Sequence, residues 1–173
     1  IPQLADAVDV LKGITLKQGV SYAALVPNLK GLERALDADI DEVSVFMSAS
    51  EGHNKENINK TIAETFPVLR EVVEAARAAG KTVRGYISTV IACPYDGYTE
   101  PRQVKYVADQ LFDMGVQEIS LGDTIGVAVP PQVERLLDEL MKHYKPEQLA
   151  MHFHDTHGTA MSNIVASLPY GIT

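Results

Sequence analysis

Strand-like and helix-like runs alternate along the whole chain, and that alternation restricts the fold more than any other feature. β-prone runs begin near residues 22, 43, 82, 117 and 149, with helix-spaced apolar stripes between them. Strands separated by helices cannot join as tight hairpins; they lie parallel, linked by crossovers. In order, residues 4 to 12 read as a helix ended by Gly13, Ser21 to Asn28 as a β-prone run, Gly31 to Asp37 as a helix and Glu42 to Ser48 as a strand. Ala49 to Glu56 reads as a polar loop. It leads into a helix that opens with a capping box, Thr61-x-x-Glu64, and that Pro67 should kink or restart. Leu69, Val72, Val73 and Ala76 form its apolar stripe and Gly80 its stop. Lys81 to Thr89 is the next strand, followed by a loop through Cys93 to Thr99. Pro101 opens a helix running to Gly115, Val116 to Leu121 is a strand, and Pro130 and Pro131 open another helix. A strand around Met151 and a last helix over Gly158 to Leu168 complete the series.

The strand faces decide between an open sheet and a barrel. Parallel strands covered on both sides read as unbroken apolar runs. Here Arg84, Tyr86 and Ser88 alternate with Val83, Gly85 and Ile87, and Ser44 and Ser48 alternate with Val43, Val45 and Met47. One face packs on helices and the other is polar, which fits the interior of a (β/α)₈ TIM barrel towards its C-terminal mouth. Eight units need roughly 250 residues, whereas this chain has 173 and about five strands. The expectation is an α/β partial barrel, an internal segment lacking the first strands and the last strand with its C-terminal helices. Ile1 in place of a methionine agrees with that expectation.

His152-Phe153-His154-Asp155-Thr156 is the most chemical stretch. Two histidines two residues apart on a strand project from one face, roughly 6.5 Å apart. They suit either two cis ligands on one metal ion or a hydrogen-bonded pair at a strand end. Asp123, in Ser120-Leu121-Gly122-Asp123-Thr124-Ile125-Gly126, stands at a strand's C-terminal lip, as an active-site acid or as the acceptor of its own turn. Arg84 inside a barrel needs a carboxylate, from the protein or from a substrate. The Ser48 to Asn59 segment, with Asn57 near a helix start, is a candidate phosphate cradle. Cys93 has no basic neighbour to activate it and reads as inert.

At 46% hydrophobic and 22% charged residues, the chain suits one globular core. A net charge of −8 disfavours nonspecific binding to nucleic acid or an anionic membrane. No apolar run approaches the roughly 20 residues of a membrane span.

Pro27-Asn28-Leu29-Lys30-Gly31, Val83-Arg84-Gly85-Tyr86, Cys93-Pro94-Tyr95, Ser120 to Gly126 and the His-x-His-Asp-Thr motif occur together in an order that resembles the 3-hydroxy-3-methylglutaryl-CoA lyase family of metal-dependent barrels. The resemblance covers essentially the whole chain. It implies Mg²⁺ or Mn²⁺ held by His152 and His154, an aspartate ahead of Ile1 and an asparagine beyond Thr173. It also places the family's catalytic cysteine beyond this chain, so Cys93 is not that residue. Glu56 stands where some relatives have lysine, beside Asn57.

The implied reaction is retro-Claisen cleavage of 3-hydroxy-3-methylglutaryl-CoA to acetyl-CoA and acetoacetate, in leucine degradation. His152, Asp123 and Arg84 are then the catalytic candidates, and Tyr86, Ser120 and Asn57 the substrate-binding ones. An acyl-CoA is the implied partner, with a homo-oligomer of dimer size or larger. The implied setting is the cytoplasm in a bacterium or the mitochondrial matrix in a eukaryote. Two readings compete: a sibling synthase or aldolase that uses the same histidine pair, and a catalytically silent barrel that binds acyl-CoA. Acetoacetate release separates the lyase from the synthase or aldolase, and absence of the family's arginine-aspartate and glycine-rich cysteine motifs from the complete gene would mark the silent barrel.

Overall fold

The computed structural model describes residues 5–172, so Leu4, in the expected first helix, lies outside the described residues. Five strands form one parallel sheet in the order β1-β2-β3-β6-β7. They are β1 (Ala23–Leu25), β2 (Glu42–Ser48), β3 (Thr82–Ser88), β6 (Glu118–Asp123) and β7 (Leu149–Phe153). Between β3 and β6, the segment expected to be a loop carries a small antiparallel hairpin, β4 (Ala92–Cys93) and β5 (Gly97–Tyr98).

The helices are α1 (Ala7–Gly13), α2 (Leu29–Asp37), α3 (Glu51–Ile58), α4 (Ile62–Ala78), α5 (Pro101–Met114), α6 (Pro130–Leu140) and α7 (Ala160–Ser167). The core lies between the helices and the odd-numbered residues of the central strands. Val43, Val45, Met47, Val83, Ile87, Ile119 and Leu121 are buried there against Leu69, Val72, Val73, Val104, Val107, Leu111, Leu136 and Leu137. Each stripe repeats every three or four residues, so one face of each helix seals one face of the sheet.

Two expectations need correction. The supposed polar loop after β2 is helix α3. Pro67 neither breaks nor restarts α4, which is continuous from Ile62 to Ala78. Pro67 withholds an amide only from the Ala63 carbonyl; both residues are exposed, and water can take that acceptor. The capping box forms as expected, with Glu64 N–H donating to Thr61 Oγ1 at 3.1 Å and Thr61 N–H donating to Glu64 Oε2 at 2.9 Å.

Candidate active site at the C-terminal lip of the sheet

The register sets the site. Ser44 pairs with Arg84 and Arg84 with Glu118; Phe46 pairs with Tyr86, Tyr86 with Ser120 and Ser120 with Ala150; Gly122 pairs with His152. Because side chains alternate along a strand, these residues share the sheet face away from the helices. Arg84, Tyr86, Ser120 and His152 are therefore brought together as expected. His154 lies just past β7, yet its ring stays 4.9 Å from that of His152, centroid to centroid.

Arg84 finds its carboxylate in Glu118, at 2.6 Å, and its guanidinium carbon stands 5.3 Å from the centroid of Tyr86. Its Nε is buried without a partner among the described residues. Glu118 drew no notice in the sequence, because which strand becomes the neighbour of β3 is a tertiary fact. Burial pushes the His152 imidazole below its ordinary value, and the charges of His154 and Arg84 act in the same direction. A neutral imidazole is the form that binds a metal.

Asp123 does not join this cluster. It has the parity of Ile119 and Leu121, is fully buried, and accepts from the Val127 and Ala128 amides at 3.2 and 3.1 Å. Of its two readings, the structure matches the turn acceptor. Asn57 is exposed in the last turn of α3, away from the helix start. At that start, Gly52 N–H already donates to Asp96 Oδ2 at 2.7 Å, which takes one amide of the expected phosphate cradle.

Three polar contacts lace the strand ends. Thr89, with φ +59° in the left-handed region that β-branched residues rarely enter, donates its N–H to Thr124 Oγ1 at 2.7 Å. Its hydroxyl bonds the Ser88 carbonyl at 2.7 Å and lies 3.0 Å from Ser50 Oγ. Buried Cys93 has its Sγ 3.3 Å from both the Tyr95 and Asp96 amides, a turn-forming role that agrees with an inert thiol.

His152 and His154 fit two cis metal ligands: the rings are adjacent, and no described protein group hydrogen-bonds to their nitrogens. Among the described residues, no cluster of three or more His, Cys, Asp or Glu converges. The pair is thus what this span offers to such an ion.

The fold and sequence of this chain are shared with known proteins. The HMGL-like family matches residues 1–173. The chain belongs to the HMGL-like family. It is 51% identical to a hydroxymethylglutaryl-CoA lyase of Bacillus subtilis over 173 residues, which is 100% of this chain and 58% of that protein. The solved structure of a B. subtilis HMG-CoA lyase superimposes with a TM-score of 0.98, over 100% of this chain and 58% of the other. An Acinetobacter baumannii HMG-CoA lyase solved with coenzyme A and 3-methylmalate is 36% identical, with a TM-score of 0.93, over 99% of this chain and 56% of that one. The HMGL-like chain is thus a parallel α/β sheet of a TIM-barrel family, spanning 58% of the length of the first of these relatives.

Proposed function

We propose that this chain is part of the catalytic barrel of a divalent-metal-dependent carbon–carbon lyase that cleaves 3-hydroxy-3-methylglutaryl-CoA to acetyl-CoA and acetoacetate. Residues 1–173 supply about five strands of that barrel. The observation that carries the reading is the His152–His154 pair on the same sheet face as Arg84, Tyr86 and Ser120.

In the reaction the C3 hydroxyl loses its proton, the C3–O bond becomes the carbonyl of acetoacetate, and the C2–C3 bond breaks. Its electron pair passes to the thioester α-carbon as an enolate, which takes a proton to give acetyl-CoA. A bound Mg²⁺ or Mn²⁺ would acidify that hydroxyl. His152 and His154 would hold the ion; a neutral imidazole has one lone pair, so His152 acts as proton acceptor only when that pair is not on the metal. Arg84 pairs with Glu118 through Nη2 and is 30% exposed, which leaves the rest of its guanidinium fork for the substrate carboxylate. Tyr86 and Ser120 line the same wall. Asp123 holds the turn beside His152, and Asn57 is a more distant candidate contact for the acyl-CoA.

The test is acetoacetate release from 3-hydroxy-3-methylglutaryl-CoA by the intact protein with Mg²⁺ or Mn²⁺, abolished by a chelator. His152→Ala is expected to lower turnover by about 10²-fold or more. Near-wild-type turnover in that variant would remove His152 from the site. Condensation of acetyl-CoA with a 2-oxo acid, without acetoacetate release, would make the protein a synthase instead.

A further inference from the structure

Ser48 and His53 form a second histidine site on the same lip, and none of the chemistry above uses it. Ser48 is the last residue of β2, on the polar face and 0% exposed. Its Oγ lies 2.6 Å from Nδ1 of His53, which stands in the first turn of α3.

The surrounding contacts fix this ring. Ser48 N–H donates to Asn54 Oδ1 at 3.0 Å, and the fully buried Asn54 amide donates to the Lys60 carbonyl and to Thr65 Oγ1, each at 2.9 Å. On the other side Asp96 takes the Gly52 amide, and the Tyr95 ring stands 6.4 Å from that of His53. A Cβ on Gly52 would fall on Asp96 Oδ1 and lie 2.8 Å from Tyr95 Cβ, so only glycine permits this approach.

The hydrogen-bond network assigns the tautomer. Ser48 Oγ has no other partner among the described residues, and a buried hydroxyl without an acceptor is costly. Ser48 therefore donates to Nδ1, and His53 carries its proton on Nε2, where no described residue accepts it. Burial pushes the imidazole below its ordinary value, which favours this neutral donor form.

Distance narrows the ligand atom. Ser48 pairs with Ser88; Gly122 lies one residue beyond the paired Ile87 and Leu121, and pairs with His152. Three strand-to-strand steps make about 14 Å along the sheet, less across its curvature. The ring is too far from the histidine pair to serve the breaking bond, but within the reach of a thioester arm anchored there.

We propose that His53, oriented by Ser48, is a specificity-determining residue that donates Nε2–H to an amide carbonyl of the pantetheine arm of an acyl-CoA. This rests on the acyl-CoA reading above.

The test titrates the intact, metal-free protein with coenzyme A and, separately, with 3′,5′-ADP, which lacks the arm. His53→Ala should weaken coenzyme A binding about five- to tenfold, the worth of one hydrogen bond, and leave 3′,5′-ADP unchanged. His53→Gln, with an amide near the Nε2 position, should recover most of the loss, and Ser48→Ala should fall between. In turnover the His53→Ala loss should appear in KM rather than kcat. Unchanged coenzyme A affinity, an equal loss for 3′,5′-ADP, or no binding of coenzyme A by the unaltered protein would overturn the proposal; so would a fall in kcat at constant KM. Coenzyme A binding through His53 without acetoacetate release would sink the lyase reading alone. Acetoacetate release with His53→Ala unimpaired would sink this one alone.

Discussion

At the scale of single residues, Asp123 shows how one acidic side chain can be read two ways. Both carboxylate oxygens accept backbone amides of the Asp123–Ala128 turn, inside a fully buried site. Asp123→Ala would leave those amides unpaired, costing about 1–3 kcal/mol, and the melting temperature should fall about 2–4 °C per kcal/mol. Asp123→Asn should fall part-way, its amide oxygen replacing one acceptor. If Asp123→Asn keeps the parent melting temperature and loses turnover a hundredfold, the turn-forming role is wrong and the relay role returns. The direction of this side chain was legible in the sequence: Ile119, Leu121 and Asp123 share strand parity, and the first two are plainly core. The Arg84–Glu118 pair was legible only by half. A guanidinium on a barrel-facing position demands a carboxylate, but its partner lies on a strand whose register no local pattern sets.

At the scale of elements, α4 was readable and α3 was not, for opposite physical reasons. α4 announces itself with a capping box and a stripe of Leu69, Val72, Val73 and Ala76. Its start depends on the reciprocal Thr61–Glu64 bonds, so Thr61→Ala should cost about 1 kcal/mol in chemical denaturation. Glu64 is held below its ordinary value of 4.5, first by the Thr61 backbone bond and then by the Thr61 side chain. A carboxyl depressed in the fold stabilises above its unfolded value and loses that contribution as pH falls through the folded one. Glu64→Gln should therefore show a flatter acid limb of stability than the parent, and parallel limbs would deny the capping box any such role. α3 has no apolar stripe: its buried residue is Asn54, and what holds the helix is the Asn54 amide network and the Asp96 cap from the β4–β5 turn. Such partners come from distant segments, so a polar loop was the natural reading of Ala49 to Glu56. Gly52→Ala should displace that turn at about 1–3 kcal/mol, as overpacking does. Unchanged hydrogen exchange of the Tyr95 and Asp96 amides in that variant would show that the turn does not bear on α3.

At the scale of the whole molecule, the sheet is sealed on one face and unfinished at its flanks. The helix layer buries the odd-numbered strand residues, whereas β1 and β7 are the two edges of the sheet. Apolar side chains stand open beside both. Leu25 is 58% exposed at the β1 edge. On α7 and its C-terminal cap, Met161, Ile164, Val165 and Leu168 recur at positions i, i+3, i+4 and i+7, all exposed, with Met161 at 70%. That spacing is the core-facing stripe of an amphipathic helix, turned here towards nothing described. A parallel edge strand with a bare apolar helix beside it invites unwanted association, and in a barrel the next strand and helix would cover both. The polar alternation in the sequence already points to that architecture, because an open five-stranded sheet would leave Arg84 and the two histidines on an uncovered face. If the span is part of a barrel, Met161 is covered in the intact protein. Its oxidation by dilute hydrogen peroxide, followed by peptide mass spectrometry, should then be as slow as that of the buried Met47 and Met114. Oxidation as fast as in the urea-unfolded protein would leave the α7 stripe facing water, and a closed barrel around His152 and His154 could not then be maintained.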